Sequence, residues 1–320
     1  MPRSLVALAA LALALSGLSS QAVAGNPGVM KMIPPGTVGL IQIDMKGIRG
    51  SMLYRELHKI LANGPQYQNA KKEAEDKFGF DFEKDLDGFT AAINSKGNGI
   101  VVVSGKFDQA KMAAVAKKDG AATKKKHKGV EYWHGKDDSG VAFIGGQAIV
   151  GKISDVKAAI EAHKGKRLKS SAPVMKLAKK VDQKKHIWVA AEVTDDMRRQ
   201  MPGLNSVHGQ LDLSKGIAMR FEMAFADKKQ AAALVAKIHE GVKKSSADPG
   251  MAMMGVAKLM ARLQAKAEGK SVLVSGDWSD AELVPLTKMA GMFIGMAAAQ
   301  QKAPPQPPMK MAPPPTPPKK

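Results

Sequence analysis

The chain has 320 residues, with 49 Lys and Arg against 29 Asp and Glu, a formal charge of +20, 44% apolar residues, 5% aromatics and no cysteine. That apolar share is enough for a packed core and excludes a collagen-like or wholly disordered chain. With no cysteine there is no disulfide, thiolate metal site, thiol nucleophile or cysteine-linked lipid anchor.

Residues 1–24 read as a secretory signal peptide. Arg3 supplies the positive start, Leu5 to Leu18 the apolar stretch, and Ala22-Val23-Ala24 the small-residue cleavage site. The expected mature chain starts with a strand at Val38 to Asp44, entered through Pro34-Pro35-Gly36. Leu53, Leu57, Ile60 and Leu61 recur at helical spacing over 51–61, with Ser51 placed to cap them. A charged helix follows over 67–78, then a buried strand over 99–105 and an alanine-rich helix over 108–118. Lys128-Gly129 marks a hairpin, Gly145-Gly146 joins strands at 140–144 and 147–151, and 155–163 is helical.

The second half reads as a strand at 186–193, a short helix at 195–201, strands at 209–213 and 217–225, and helices at 228–243 and 251–267. A strand over 271–276 and a helical stretch over 279–298, interrupted at Pro285, complete it. The last 19 residues hold 9 of the 18 prolines and no acid, so 302–320 reads as a disordered tail. No segment after the signal is long and apolar enough to span a bilayer as a helix; Met289 to Ala299 is the best candidate.

Residues 103–112 and 274–283 share a strand, a glycine, an aromatic and a capped, alanine-bearing helix. This internal repeat suggests two loosely related halves with a boundary near 165–185. The expected fold is α+β, with mostly antiparallel sheets packed on helices, because most links between strands are too short for crossovers. The domains expected are 25–165 and 166–301. Ile33-Pro34-Pro35-Gly36-Thr37-Val38, the segment from Gly79 to Leu86, and Gly105-Lys106-Phe107-Asp108 resemble exported bacterial proteins of unassigned function, mainly over 30–165. The resemblance implies long α+β repeats behind a signal and a location outside the cytoplasm. It carries over no functional residue.

Charge is the most informative feature. Residues 111–185 carry 19 basic and 7 acidic residues, so they hold +12 of the +20. Lys124, Lys125, Lys126 and Lys128 form one cluster, Lys164, Lys166, Arg167 and Lys169 a second, and Lys179, Lys180, Lys184 and Lys185 a third. Such a surface attracts anions and weakens with salt, and lysine gives point-charge attraction with little planar selectivity. Few aromatics and no recognised motif speak against nucleic acid. Anionic envelope components (lipid head groups, acidic polysaccharide or wall polymers) fit an exported chain better.

The polar cluster His127, Glu131, His134, Asp137 and Asp138 lacks metal-ligand spacing, and a strand there points Glu131 and His134 to opposite faces. Asp81, Glu83, Asp85 and Asp87 lack the glycine and terminal glutamate of a calcium loop, and Phe80, Phe82, Leu86 and Phe89 mark a packed segment. No catalytic, cofactor or metal site is therefore assigned. The leading reading is a non-enzymatic envelope-associated binding or structural protein. The alternatives are an exported hydrolase assembled only in three dimensions around His134, Asp137 or His186, and copper handling by the methionines.

Overall fold

The computed structural model describes residues 27–62, 64–118, 122–253 and 255–287. The expected signal peptide, the proline-rich tail and the segment 289–299 lie outside the described residues. Twelve strands form one sheet. They are β1 (Thr37–Asp44), β2 (Leu86–Asn94), β3 (Gly99–Gly105), β4 (Ala122–His127), β5 (Val130–Gly135) and β6 (Ser139–Ile144). After these come β7 (Gln147–Lys152), β8 (Ile187–Glu192), β9 (Leu204–Asp212), β10 (Gly216–Phe225), β11 (Gln264–Glu268) and β12 (Ser271–Ser279). Their order is β11-β12-β10-β9-β8-β1-β2-β3-β7-β6-β5-β4, and every neighbouring pair is antiparallel.

The helices are α1 (Pro27–Met30), α2 (Met45–Ile48), α3 (Met52–Leu61), α4 (Pro65–Phe78), α5 (Gln109–Lys118) and α6 (Ile153–Glu161). The series continues with α7 (Pro173–Ala178), α8 (Asp195–Gln200), α9 (Lys228–Ala247), α10 (Pro249–Met253) and α11 (Val256–Met260), and residues 280–287 are helical after β12. The expected α+β class with an antiparallel sheet is therefore what the chain adopts. The two halves meet inside that sheet: β1 pairs with β8 from Gly39 opposite Ala191 to Ile43 opposite Ile187. From β1 and from β8 alike a strand, a helical connection, two strands and a helix follow in order, with three helices in the connection after β1 and one after β8. In that order the counterpart of β3 is β10, so the matched segments 103–112 and 274–283 are both strand-to-helix corners but occupy different places in the sheet.

Several elements differ from expectation. Residues 251–267 are not one helix: Gly255 stands at φ 72 between α10 and α11, and Gln264–Glu268 pairs as the edge strand β11. The alternation of Ala265 and Ala267 with polar neighbours is too faint to outweigh the helix propensity of alanine, lysine and glutamate. Strand β2 was missed because its inward positions, Gly88, Thr90 and Ala92, are small. Helix α7 was missed because a lysine-rich stretch masks buried Val174 and Ala178. The two hairpin turns stand as expected, with φ positive at both Lys128-Gly129 and Gly145-Gly146, the backbone of tight twisted hairpins.

Both faces of the sheet are apolar near its centre. On one face Leu40, Val102, Ile149 and Trp188 are closed over by α1, α6 and α7 through Val29, Val156 and Val174. On the other, α2, α3 and α4 bring Met45, Ile48, Tyr54 and Tyr67 against Ile43, Phe89 and Ile187. Farther along that second face α9 lays Ala231, Leu234, Val235 and Ile238 over Val272 and Val274. Each large buried side chain contributes about 1.5–3 kcal/mol by leaving water.

Helix α3 begins where Ser51 is extended and its Oγ accepts the Tyr54 N–H at 3.1 Å. Ser51 is 1% exposed, so no water replaces that bond. Replacing Ser51 with Ala removes the cap and lowers stability by about 1–2 kcal/mol, read from chemical unfolding.

Candidate functional site

All eight predicted anion-binding residues are exposed. Lys124, Lys125 and Lys126 lie on the outermost strand β4, Lys128 in the turn after it, Lys164 and Lys166 in a π-helical turn (Ala162–Lys166) that extends α6, and Arg167 and Lys169 in the chain beyond. Gly165 turns the chain there at φ 122, a backbone that other residues resist. The two clusters, some 40 residues apart in sequence, are tied together: His127 of β4 meets Glu161 of α6 at 3.0 Å, and Lys166 reaches the other oxygen of Glu161 at 3.2 Å. These contacts hold the Glu161 carboxyl below the usual carboxylate range, the His127 bond foremost.

Glu131 is the second acid here. It takes Lys124 at 2.5 Å and Lys126 at 3.9 Å, and Lys124 also stands 6.0 Å from the centre of the Trp133 ring. Its carboxyl is likewise lowered, chiefly by Lys124. Among the described residues, Lys125, Lys128, Lys164, Arg167 and Lys169 make no ion pair. Eight cations thus gather at one edge of the sheet, three of them on the carboxylates of Glu131 and Glu161, with Lys124 and Lys126 on the face of β4 opposite Lys125 and His127. The third cluster is partly consumed by structure: Lys185 pairs with Asp212 at 2.6 Å, and Lys179 follows directly on α7.

The candidate metal cluster does not converge. In the β4–β5 register Glu131 shares a face with Lys126, whereas His134 lies opposite Thr123 on the other face, as the alternation predicts. Asp137 holds Ser139 by a backbone N–H at 3.2 Å, and Asp138 stands in a turn at φ 60. Among the described residues no group of three or more His, Asp or Glu is placed to hold a metal ion.

His186 has two carboxylates beside it. Its Nδ1 is 3.0 Å from Asp212 Oδ1 and accepts the Leu213 N–H at 3.0 Å. On its far side, a Cβ on Gly47 would stand 2.5 Å from Asp44 Oδ2 and 3.0 Å from His186 Nε2, so only glycine lets α2 approach. Asp44 is 5% exposed, and burial raises its carboxyl above the ordinary value despite the Gly47 N–H bond and the nearby imidazole. Burial alone would raise Asp212 too, but Lys185 and Ser214 hold it down at about 2. Among the described residues no hydroxyl hydrogen-bonds to His186. A half-open crevice beside Asp44, Gln42 and Thr90 includes none of His134, Asp137 or His186 in its lining.

Sequence reasoning overlooked the polar knot at Glu83. Its carboxylate accepts from Tyr67 Oη, Lys71 Nζ and, at 2.8 Å, His58 Nε2. Tyr54 stacks on His58, and His58 with Tyr67 and Tyr67 with Phe82 meet edge to face, all with ring centres 5.6–5.7 Å apart. Behind them Arg49, 2% exposed, donates to the carbonyls of Met45, Glu83 and Leu86. A carboxylate saturated by three donors is a fastener between α3, α4 and the turn that leads into β2. The spacing of His58, Tyr67 and Lys71 on two helices is visible in the sequence, but their common partner is not.

Burial would raise the Glu83 carboxyl, yet the Lys71, Tyr67 and His58 bonds outweigh it and hold the group at about 2, against an ordinary 4.5. A carboxyl depressed in the folded chain adds stability above its unfolded value, and that stability fades as pH falls toward about 2. Glu83→Gln therefore costs about 2–3 kcal/mol at neutral pH. The gap from the parent closes between pH ~4.5 and ~2 in urea unfolding followed across pH.

No family model matches the chain, and no curated protein matches it. It is similar to the solved structures of TP0453 in crystal forms I and IV, each at 9% identity and a TM-score of 0.45. The likeness covers 82% and 83% of this chain and 97% and 95% of those chains, and no residue role is taken from it.

Proposed function

We propose that this chain is an exported, non-enzymatic envelope protein that binds anionic components through the basic edge formed by β4 and the end of α6. Lipid head groups, acidic polysaccharide and wall polymers share the chemistry it would recognise. Residues 1–24 would be the export signal and 302–320 a solvated spacer. The recurring order of elements from β1 and from β8 favours two halves of common origin.

One observation carries the reading. The His127–Glu161–Lys166 contacts bring the 164–169 cluster against the edge strand β4, on the face of Lys125 and His127 with Lys124 and Lys126 on the other face, and five of the eight cations gathered at that edge make no ion pair among the described residues. A solvated surface alone does not require that convergence. Lysines on an outer strand also keep other strands from pairing with it, which is the competing use of the same residues.

The test is co-sedimentation of residues 25–320 with isolated envelopes across a salt series. The expected result is retention at low salt that falls steeply as salt rises, with most of it lost when Lys124, Lys125, Lys126 and Lys128 are all replaced by Gln. Absence of retention at low salt would overturn the reading.

A further inference from the structure

At the end of the sheet marked by Asp44, Gly88 and Ser104, the face beneath α1 turns from apolar to polar. Two residues on from buried Leu40 and Val102, that face carries Gln42 and Ser104, with Thr90 opposite Gln42 and Asp44 beyond it. These four, with Asp87, Gly88 and Val29 of α1, line the half-open crevice. Gln42 is 7% exposed and Thr90 3%, yet among the described residues neither side chain makes a hydrogen bond. Behind Ser104, which accepts from Gln147 Nε2 at 3.4 Å, the Oε1 of Gln147 is buried without a partner.

Two carboxylates border this space, and neither makes an ion pair among the described residues. Asp44 accepts backbone N–H groups at the start of α2, and Asp87 has no side-chain hydrogen bond. The charged groups around them are Arg49, whose guanidinium donates to the carbonyls of Met45, Glu83 and Leu86, and His186, which stands beside Asp212. No cationic side chain is among the residues lining the crevice. Burial raises the Asp44 carboxyl, as expected of an acid short of a counter-ion. The free space is about 20 Å³, room for one water-sized group. A sugar or a nucleotide does not fit there. An ammonium does, and its three N–H donors find acceptors on Asp44, Asp87, Gln42, Thr90 and Ser104.

We propose that the occupant is the α-ammonium of Gly25, created when the export signal is removed after Ala24. The proposal rests on the signal-peptide part of the envelope reading. Val29 in the crevice wall stands four residues from Gly25, a reach of up to about 14 Å. Glycine places no side chain beside its amine, which suits so small a space. A tether this short gives the amine an effective concentration on the order of millimolar, without recruiting a partner. An uncleaved chain has an uncharged amide at the same nitrogen and brings no counter-ion to the two acids.

The test uses residues 25–320 released from a fusion so that Gly25 comes first. The chain is treated with cyanate at neutral pH, and carbamylation of its N-terminal peptide is followed by mass spectrometry. An α-amine ordinarily titrates at about 7.7–8.0. Held between Asp44 and Asp87 it titrates higher, so the native chain should react about tenfold more slowly than the same chain unfolded in guanidinium chloride. Exposed Lys31 serves as the internal reference and should show no such gap. Asp87→Asn should remove most of the protection. Retaining Ala22-Val23-Ala24 ahead of Gly25 should do so with no change inside the fold, and should lower the guanidinium midpoint.

Reaction of the native Gly25 amine at the unfolded rate overturns the proposal, as does protection that survives Asp87→Asn or the retained segment. Sequencing the chain recovered from envelopes separates this proposal from the reading beneath it. A first residue other than Gly25 removes the signal cleavage and the proposal together. Gly25 in first place with a freely reacting amine removes the docking alone.

Discussion

The backbone hydrogen bonds between β1 and β8, with Gly39 opposite Ala191 and Ile43 opposite Ile187, join two sets of strands into one sheet. A shift of one residue in that register would turn Leu40 and Trp188 out of the core and expose Ile41 and Val189 to the helices of the other face. The seam is secured at one end by side chains. The Asp44 backbone N–H donates to the His186 carbonyl at 2.7 Å, and the Asp44 carboxylate caps α2 through the Gly47 N–H at 2.9 Å. His186 in turn receives the Leu213 N–H, so β1, α2, β8 and the end of β9 are fastened at one place. The pair of acids around an imidazole is thus explained as the closure of a sheet.

Much of the architecture follows from features that act over a few residues. The Ser51 cap, the Lys128-Gly129 and Gly145-Gly146 turns, and the β-branched runs of β3 and β8 are local signals, and each appears where it was expected. Elements whose identity depends on neighbours were not legible. Gln264–Glu268 is a strand because β12 offers it a ladder, not because glutamine, alanine, lysine and glutamate favour extension. Val174 and Ala178 make α7 a core helix only because β1 and β8 present Leu40 and Trp188 beneath it.

The candidate surface was legible in the same partial way. A count of charges locates the lysines of 124–128 and 164–169, since charge needs no partner to be seen. That the two clusters meet at one edge depends on His127 meeting Glu161, a contact between an edge strand and a helix that spacing cannot supply. Glu83 is a similar case: an acid among aromatics suggests packing, but three converging donors do not follow from it.

An open sheet has two rims with unpaired backbone groups, and here both are charged: β4 by Lys124, Lys125 and Lys126, β11 by Lys266 and Glu268. On β4 the lysines guard against strand addition, and under the proposed function they would also be the contact surface. A polyanion that neutralises them disarms that guard while it is bound. Under the proposed function, occupancy of the basic edge would be coupled to self-association: ligand density, not only affinity, would set whether neighbouring copies stay apart or begin to extend one another's sheets.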